Sequence, residues 1–201
     1  METVFGLPAH PLIIHAVTVL LPLSAAGAVV IALSPNWRAR IGWLVVGLAG
    51  LGVVAAWLAQ ESGEVLEEAI EEAEGVSPLL EAHTKLGDTA MFWVVPLFLV
   101  VLGFMAYHEY RKRNSMPALT PGAPIALALV ALVVVASVAT TVQVVRIGHS
   151  GAKATWEDVK IVPGAYDEDE EDEEHEGEEH EEGEEEESLA LRGSAPSGAI
   201  R

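Results

Sequence analysis

The sequence predicts an all-α integral membrane protein: a four-helix bundle with an extracytoplasmic helical hairpin extension and a disordered acidic C-terminal tail. The bundle is predicted by four long apolar runs, at about residues 11–33, 41–60, 89–107 and 122–145. Each run can cross a hydrocarbon core of roughly 30 Å at about 1.5 Å per helical residue. An acidic block near the C-terminus predicts the tail. We therefore divide the chain into a transmembrane domain, 1–160, and a tail, 161–201.

Composition narrows the classes of function. The 201 residues include no cysteine, which excludes disulfides, thiolate metal sites and thiol nucleophiles. The formal net charge of −19 comes mainly from the tail, so the body of the chain is nearly neutral. No basic stretch interleaved with aromatic residues is present, and we expect no nucleic-acid partner.

The first helix carries two histidines at its start. Pro11 should occupy its first turn, and the residue before a proline is pushed away from helical angles, so His10 is expected just outside the helix and His15 about one turn inside. Residues 1–9, with Gly6 and Pro8, predict irregular backbone. The chain begins without the basic region of a secretory signal, so we expect this helix to be retained.

The second helix is rich in small residues and should lie at the packed centre of the bundle. Gly52 and Ala56 have the spacing that lets membrane helices approach closely. From 61 to 74 the pattern stays helical but becomes amphipathic, which predicts that the helix projects out of the membrane. Gly75 should end it, and Ser77 with Pro78 should start helix three.

Basic residues predict the orientation. The two short loops on one side carry five of them, Arg38 and Arg40 in the first and 111–113 in the second, whereas the opposite side has Lys85 and a few residues after helix four. The positive-inside rule places these loops in the cytoplasm of a bacterium and both termini outside its cytoplasmic membrane.

Four predicted crossings bring four histidines to the same outer face. His10 and His15 lie at the start of helix one, His83 at the start of helix three and His149 at the end of helix four. Glu61 lies at the same face, where helix two leaves the membrane. Imidazole ligates transition metals and haem iron, so a haem b or a divalent transition metal is the candidate cofactor. The alternative is that each histidine only caps or hydrogen-bonds at the membrane interface. Different depths argue against one mononuclear site that uses all four.

The tail holds two further histidines. His175 and His180 lie among carboxylates in the block 167–187, which is acidic except for them and two glycines. Such a segment cannot bury a core and is expected to be disordered. Weak scavenging of divalent cations competes with the simpler interpretation of a solvated polyelectrolyte.

The opening of the chain resembles a family of small bacterial membrane proteins classed as domain of unknown function 2231. The resemblance covers roughly residues 5–160, and its matching residues are Gly6, Pro8, His10, Pro11, Leu12, His15, Ser62, Gly63, His83, Gly87, Gly148, His149 and Gly151. Two family features differ, because Ala16 and Val17 replace a Phe-Pro pair, and Trp156 is followed by Glu157, Asp158 and Val159 where the family often has an aromatic-x-His-Gly stretch. The resemblance implies an architecture and leaves the chemistry open.

The sequence leaves two functions open. The first is a redox or metal-handling protein that binds haem or a transition metal at its outer mouth, with a redox partner in the membrane or outside it. The second is a cofactor-free accessory subunit of a membrane complex. A small transporter is weaker because no charged residue lies within the apolar runs, and no serine-centred motif favours an enzyme. Homo-oligomerisation also stays open.

Overall fold

A computed structural model describes residues 3–4, 7–75, 77–117 and 122–156. These residues form a short β-hairpin followed by five helices: α1 (Ala9–Leu33), α2 (Pro35–Glu74), α3 (Pro78–Asp88), α4 (Ala90–Arg113) and α5 (Pro124–Trp156). The tail assigned to 161–201, with His175 and His180, lies outside the described residues.

Four helical segments are long and apolar enough to cross a membrane, which confirms the predicted bundle. They are α1, most of α2, α3 with α4 as one segment, and α5. Within the bundle α1 packs against α2 and α5, and α4 packs against the same two helices, so α1 and α4 lie at opposite corners. Many large apolar side chains point away from the core, as helices in contact with lipid require.

Small residues allow α1 and α2 to pack closely. A Cβ atom added to Gly52 would lie 2.5 Å from Leu21 Cδ2, and Ala56 is buried in the same cluster as Leu21. This contact agrees with the small-residue spacing in the sequence. A larger core cluster nearer the other end of the bundle joins residues of all four spanning helices, among them Ile31, Val45, Leu97 and Val133.

Three details of the elements correct the sequence-based expectations. The first residues are not wholly irregular, because β1 (Thr3–Val4) and β2 (Leu7–Pro8) pair in antiparallel fashion. His10 is the second residue of α1 and not outside it, because its ring is hydrogen-bonded to α2 and backbone N–H groups of a first turn need no helical partner. Helix three is interrupted at Thr89, whose φ and ψ are −79° and −8°.

The ends of α1, α2 and α4 meet at one pole of the bundle. Arg38 donates hydrogen bonds to the carbonyl oxygens of Ile31 and Ala32, each at 2.8 Å, in the last turn of α1. Its Nη1 lies 2.9 Å from Nε2 of His108, and its guanidinium stacks on the ring of Phe104. The two basic connections therefore share one end of the bundle, and the histidines of α1 and α3 lie at the other.

Candidate functional site

His10 is built into the contact between α1 and α2. Its Nδ1 lies 2.9 Å from the carbonyl oxygen of Ala59 and 3.3 Å from Oγ of Ser62. A carbonyl oxygen can only accept, so Nδ1 carries the proton and donates it. In the neutral ring, Nε2 then keeps a free lone pair.

His83 is held in the same way between α3 and α5. Its Nδ1 lies 3.0 Å from Oγ of Ser150, and that hydroxyl donates its own proton to the carbonyl oxygen of Ile147 at 2.8 Å. With the serine proton directed at Ile147, Nδ1 of His83 is the donor to Oγ of Ser150. Both half-buried imidazoles are thus anchored through Nδ1.

A glycine makes room for each of these rings. A Cβ atom added to Gly63 would lie 3.0 Å from Cε1 of His10, and one added to Gly151 would lie 2.9 Å from Cε1 of His83. These separations are shorter than ordinary van der Waals contact, so no larger residue fits without movement. The Ser-Gly pair of α2 and the Ser-Gly pair of α5 have the same two roles. In each pair the serine contacts Nδ1 of the histidine, and the glycine leaves space for the ring.

The two rings lie at the same end of the bundle. His83 is near enough to His10, and Glu67 of α2 near enough to His83, for a charge on one group to be felt by the other. A hydrogen bond from Gln60 Nε2 to the carbonyl oxygen of Gly87, at 3.1 Å, joins α2 to the end of α3 beside them. We call His10 and His83, with the serines and glycines that hold them, the imidazole pair.

The other predicted ligands do not join this pair. His15 is exposed, and its Nδ1 lies 2.6 Å from the carbonyl oxygen of Pro11 in its own helix. It diverges from His10 because a five-residue separation turns the side chain by about 140° around the axis. His149 is exposed in a shallow groove beside Leu79, and Glu61 is exposed at the surface.

Sequence reasoning missed Ser150. It chose His149 as the chemical residue of the Gly-His-Ser-Gly motif, but neighbouring helical residues point about 100° apart, and the serine is the one that meets His83. The signal was the repeated Ser-Gly at 62–63 and 150–151. Among the described residues, no group of three or more histidine, aspartate or glutamate side chains is arranged to hold a metal ion.

In a comparison with known protein families, residues 6–162 match the family described as predicted membrane protein, DUF2231. The match covers most of the chain and includes both parts of the imidazole pair. No curated protein and no solved structure shows a significant match.

Proposed function

The chain belongs to the DUF2231 family of predicted membrane proteins, and from this premise we propose that it holds a transition-metal centre, as haem iron or as a metal ion, at the extracytoplasmic mouth of its bundle. The ligands are Nε2 of His10 and Nε2 of His83. The centre serves redox chemistry or metal handling in the bacterial cytoplasmic membrane. This conclusion rests chiefly on one observation, the matched anchoring of the two rings through Nδ1.

That anchoring is what a metal-ligating histidine needs. A ligating imidazole almost always donates its other ring N–H to a carbonyl, a carboxylate or a comparable acceptor, which fixes the tautomer and aims the lone pair. Here Ala59 and Ser150 supply those acceptors. An ordinary capping histidine has no need of a glycine opposite its ring, whereas both of these rings have one.

Two protein ligands suit two kinds of centre. Haem iron takes its remaining ligands from the macrocycle, so one or two histidines are sufficient. A metal ion held by two imidazoles would complete its shell with water or with groups from a partner, which suits exchange more than storage. His15 and His149, both exposed, and Glu61 are secondary candidates that could deliver a metal ion to the pair.

The test is a visible spectrum and an elemental analysis of the full chain purified in detergent. A Soret band would identify haem, and a stoichiometric metal without one would identify an ion. His175→Ala with His180→Ala should be introduced in parallel, because it removes the tail imidazoles that could bind added metal weakly. Metal that disappears with these two substitutions would assign cation scavenging to the tail.

His10→Asn is the sharpest variant. The asparagine amide can still donate to the carbonyl of Ala59 from nearly the position of Nδ1, but it offers no lone pair where Nε2 was. We expect the bundle to remain folded and the metal or haem to be lost, with the same result for His83→Asn. His15→Asn is the matched control for metal occupancy, since that ring is exposed and its hydrogen bond stays within α1.

A colourless and metal-free preparation with an intact bundle would contradict the proposal. It would favour the accessory subunit, with the end of α2 and α3 as the surface that binds partner proteins. Equal metal content in His10→Asn, His83→Asn and the unmodified chain would also contradict it.

A further inference from the structure

A groove of about 640 Å³ lies between α5 and the junction of α3 and α4, apart from the imidazole pair. Its polar side carries Lys85, Asp88 and Arg146, and its apolar side carries Phe92 and Trp93. The two sides follow the boundary of the bundle, because the apolar runs begin at 89 and end at 145. The groove therefore lies where membrane headgroups meet acyl chains.

Buried polar side chains lie beneath this groove, and one of them, Gln143, lines it. Gln143 is only 7% exposed and donates a hydrogen bond from Nε2 to Oγ1 of Thr89 at 2.9 Å. One turn deeper, Thr140 is 2% exposed and donates to the carbonyl oxygen of Trp93 at 3.0 Å. These bonds fix α5 against α4 directly beneath the charged residues. Nη1 of Arg146 lies 3.5 Å from Oε1 of Gln143, at the edge of this network.

The charges of the groove are mixed. Among the described residues, no carboxylate lies within ion-pair distance of Arg146, whereas Lys85 is paired with the exposed Glu81. Asp88 adds a negative charge on the same side. A headgroup with one phosphate and one ammonium complements this arrangement better than a headgroup with net negative charge. Phe92, 73% exposed, offers an apolar surface below.

We propose that this groove binds a zwitterionic phospholipid of the phosphatidylethanolamine class. The phosphate lies against Arg146 and Lys85, the ammonium lies against Asp88, and an acyl chain follows Phe92 and Trp93. Guanidinium groups bind phosphate through several charge-assisted hydrogen bonds, and aromatic rings are favoured at this depth of a bilayer. The proposal does not depend on a metal centre.

Native mass spectrometry of the full chain can test this proposal. The protein in detergent would be mixed with phosphatidylethanolamine, phosphatidylglycerol or diacylglycerol, and the retained lipid counted at increasing collision energy. We expect phosphatidylethanolamine to be retained most strongly and diacylglycerol least. Arg146→Gln should weaken retention by about fivefold to tenfold, Arg146→Lys should restore most of it, and Lys153→Gln, an exposed cation on the same helix, should have no effect.

The variant Asp88→Asn separates the two charges of the headgroup. It should reduce the preference for phosphatidylethanolamine over phosphatidylglycerol without removing lipid binding. Three results would overturn the proposal: equal retention of all three lipids, unchanged retention in Arg146→Gln with its circular dichroism intact, or displacement of phospholipid by millimolar inorganic phosphate, which would assign the groove to a free anion.

Discussion

Substitution of Arg38 by alanine should destabilise the bundle far more than substitution of any other basic residue at that pole. The guanidinium donates to the carbonyl oxygens of Ile31 and Ala32 at the end of α1, approaches His108 on α4 and lies 4.7 Å from the centroid of the Phe104 ring. One side chain of α2 thereby joins three helices. Its removal leaves two helix-terminal carbonyls without their donors.

The expected loss follows from these contacts. A hydrogen bond to a charged group contributes about 1.5–3 kcal/mol, and the low end is appropriate because Arg38 is only partly buried. Two carbonyl bonds at that value, with the cation–π contact as a small addition, give a loss of about 3 kcal/mol. For a domain of this size, that loss lowers Tm by about 6–12 °C.

Thermal unfolding in detergent, followed by tryptophan fluorescence, measures this shift. Arg40→Ala is the matched control, because Arg40 is exposed two residues further along the same helix and should change Tm by no more than about 1–2 °C. Arg38→Lys should fall between the two, since one ammonium cannot reproduce the spread of guanidinium donors. Equal Tm values for Arg38→Ala and Arg40→Ala would refute the reasoning.

Two further predictions each compare a glycine in a close contact with a glycine of the same helix that has open space beside it. Gly52→Ala should lower the free energy of unfolding by about 1–3 kcal/mol through overpacking against α1. Gly47→Ala is the control and should be neutral or stabilising, because a Cβ atom added there meets nothing within 4 Å. Thermal unfolding measures both, and equal effects would disprove the close contact. Gly151→Ala should displace the ring of His83 and reduce the metal or haem content, whereas Gly148→Ala, which also meets nothing within 4 Å, should leave it unchanged. Elemental analysis and the visible spectrum measure the second comparison, and full occupancy in Gly151→Ala would count against the imidazole pair.

The spanning helices could be predicted because the bilayer imposes a simple requirement on local sequence. Each crossing needs about 20 consecutive apolar residues whose backbone groups are satisfied within the helix, and that signal is local and additive. The start of helix three was equally readable, since Ser77 accepts a hydrogen bond from the backbone N–H of Leu80 and Pro78 follows it. The interruption at Thr89 was not predicted, because Gly87 two residues earlier is a weak signal within a pattern that stays helical on both sides.

The sequence predicted which end of the bundle carries the histidines, but not which of them contact other helices. Because successive helices cross the membrane in opposite directions, the sequence predicted that the histidines at the starts of helices one and three lie at the same end of the bundle. Which of them turn inward depends on the rotation of each helix about its axis, and that rotation is set by packing against neighbours. His10 and His83 are half-buried and hydrogen-bonded to other helices, while His15 and His149 are exposed.

By itself, the sequence determined the membrane location, the number of spanning segments and the residue types at the histidine-bearing end of the bundle. These properties follow from hydropathy and from short-range backbone preferences, which act within a few residues. Only the tertiary structure decided that His10 contacts Ser62 and Gly63, and that His83 contacts Ser150 and Gly151. It also decided that Arg38 joins the helix ends at the opposite end of the bundle. The physical reason is that each of these contacts joins residues about 50 positions or more apart, or bridges separate helices, and depends on helix rotation, which no local pattern encodes.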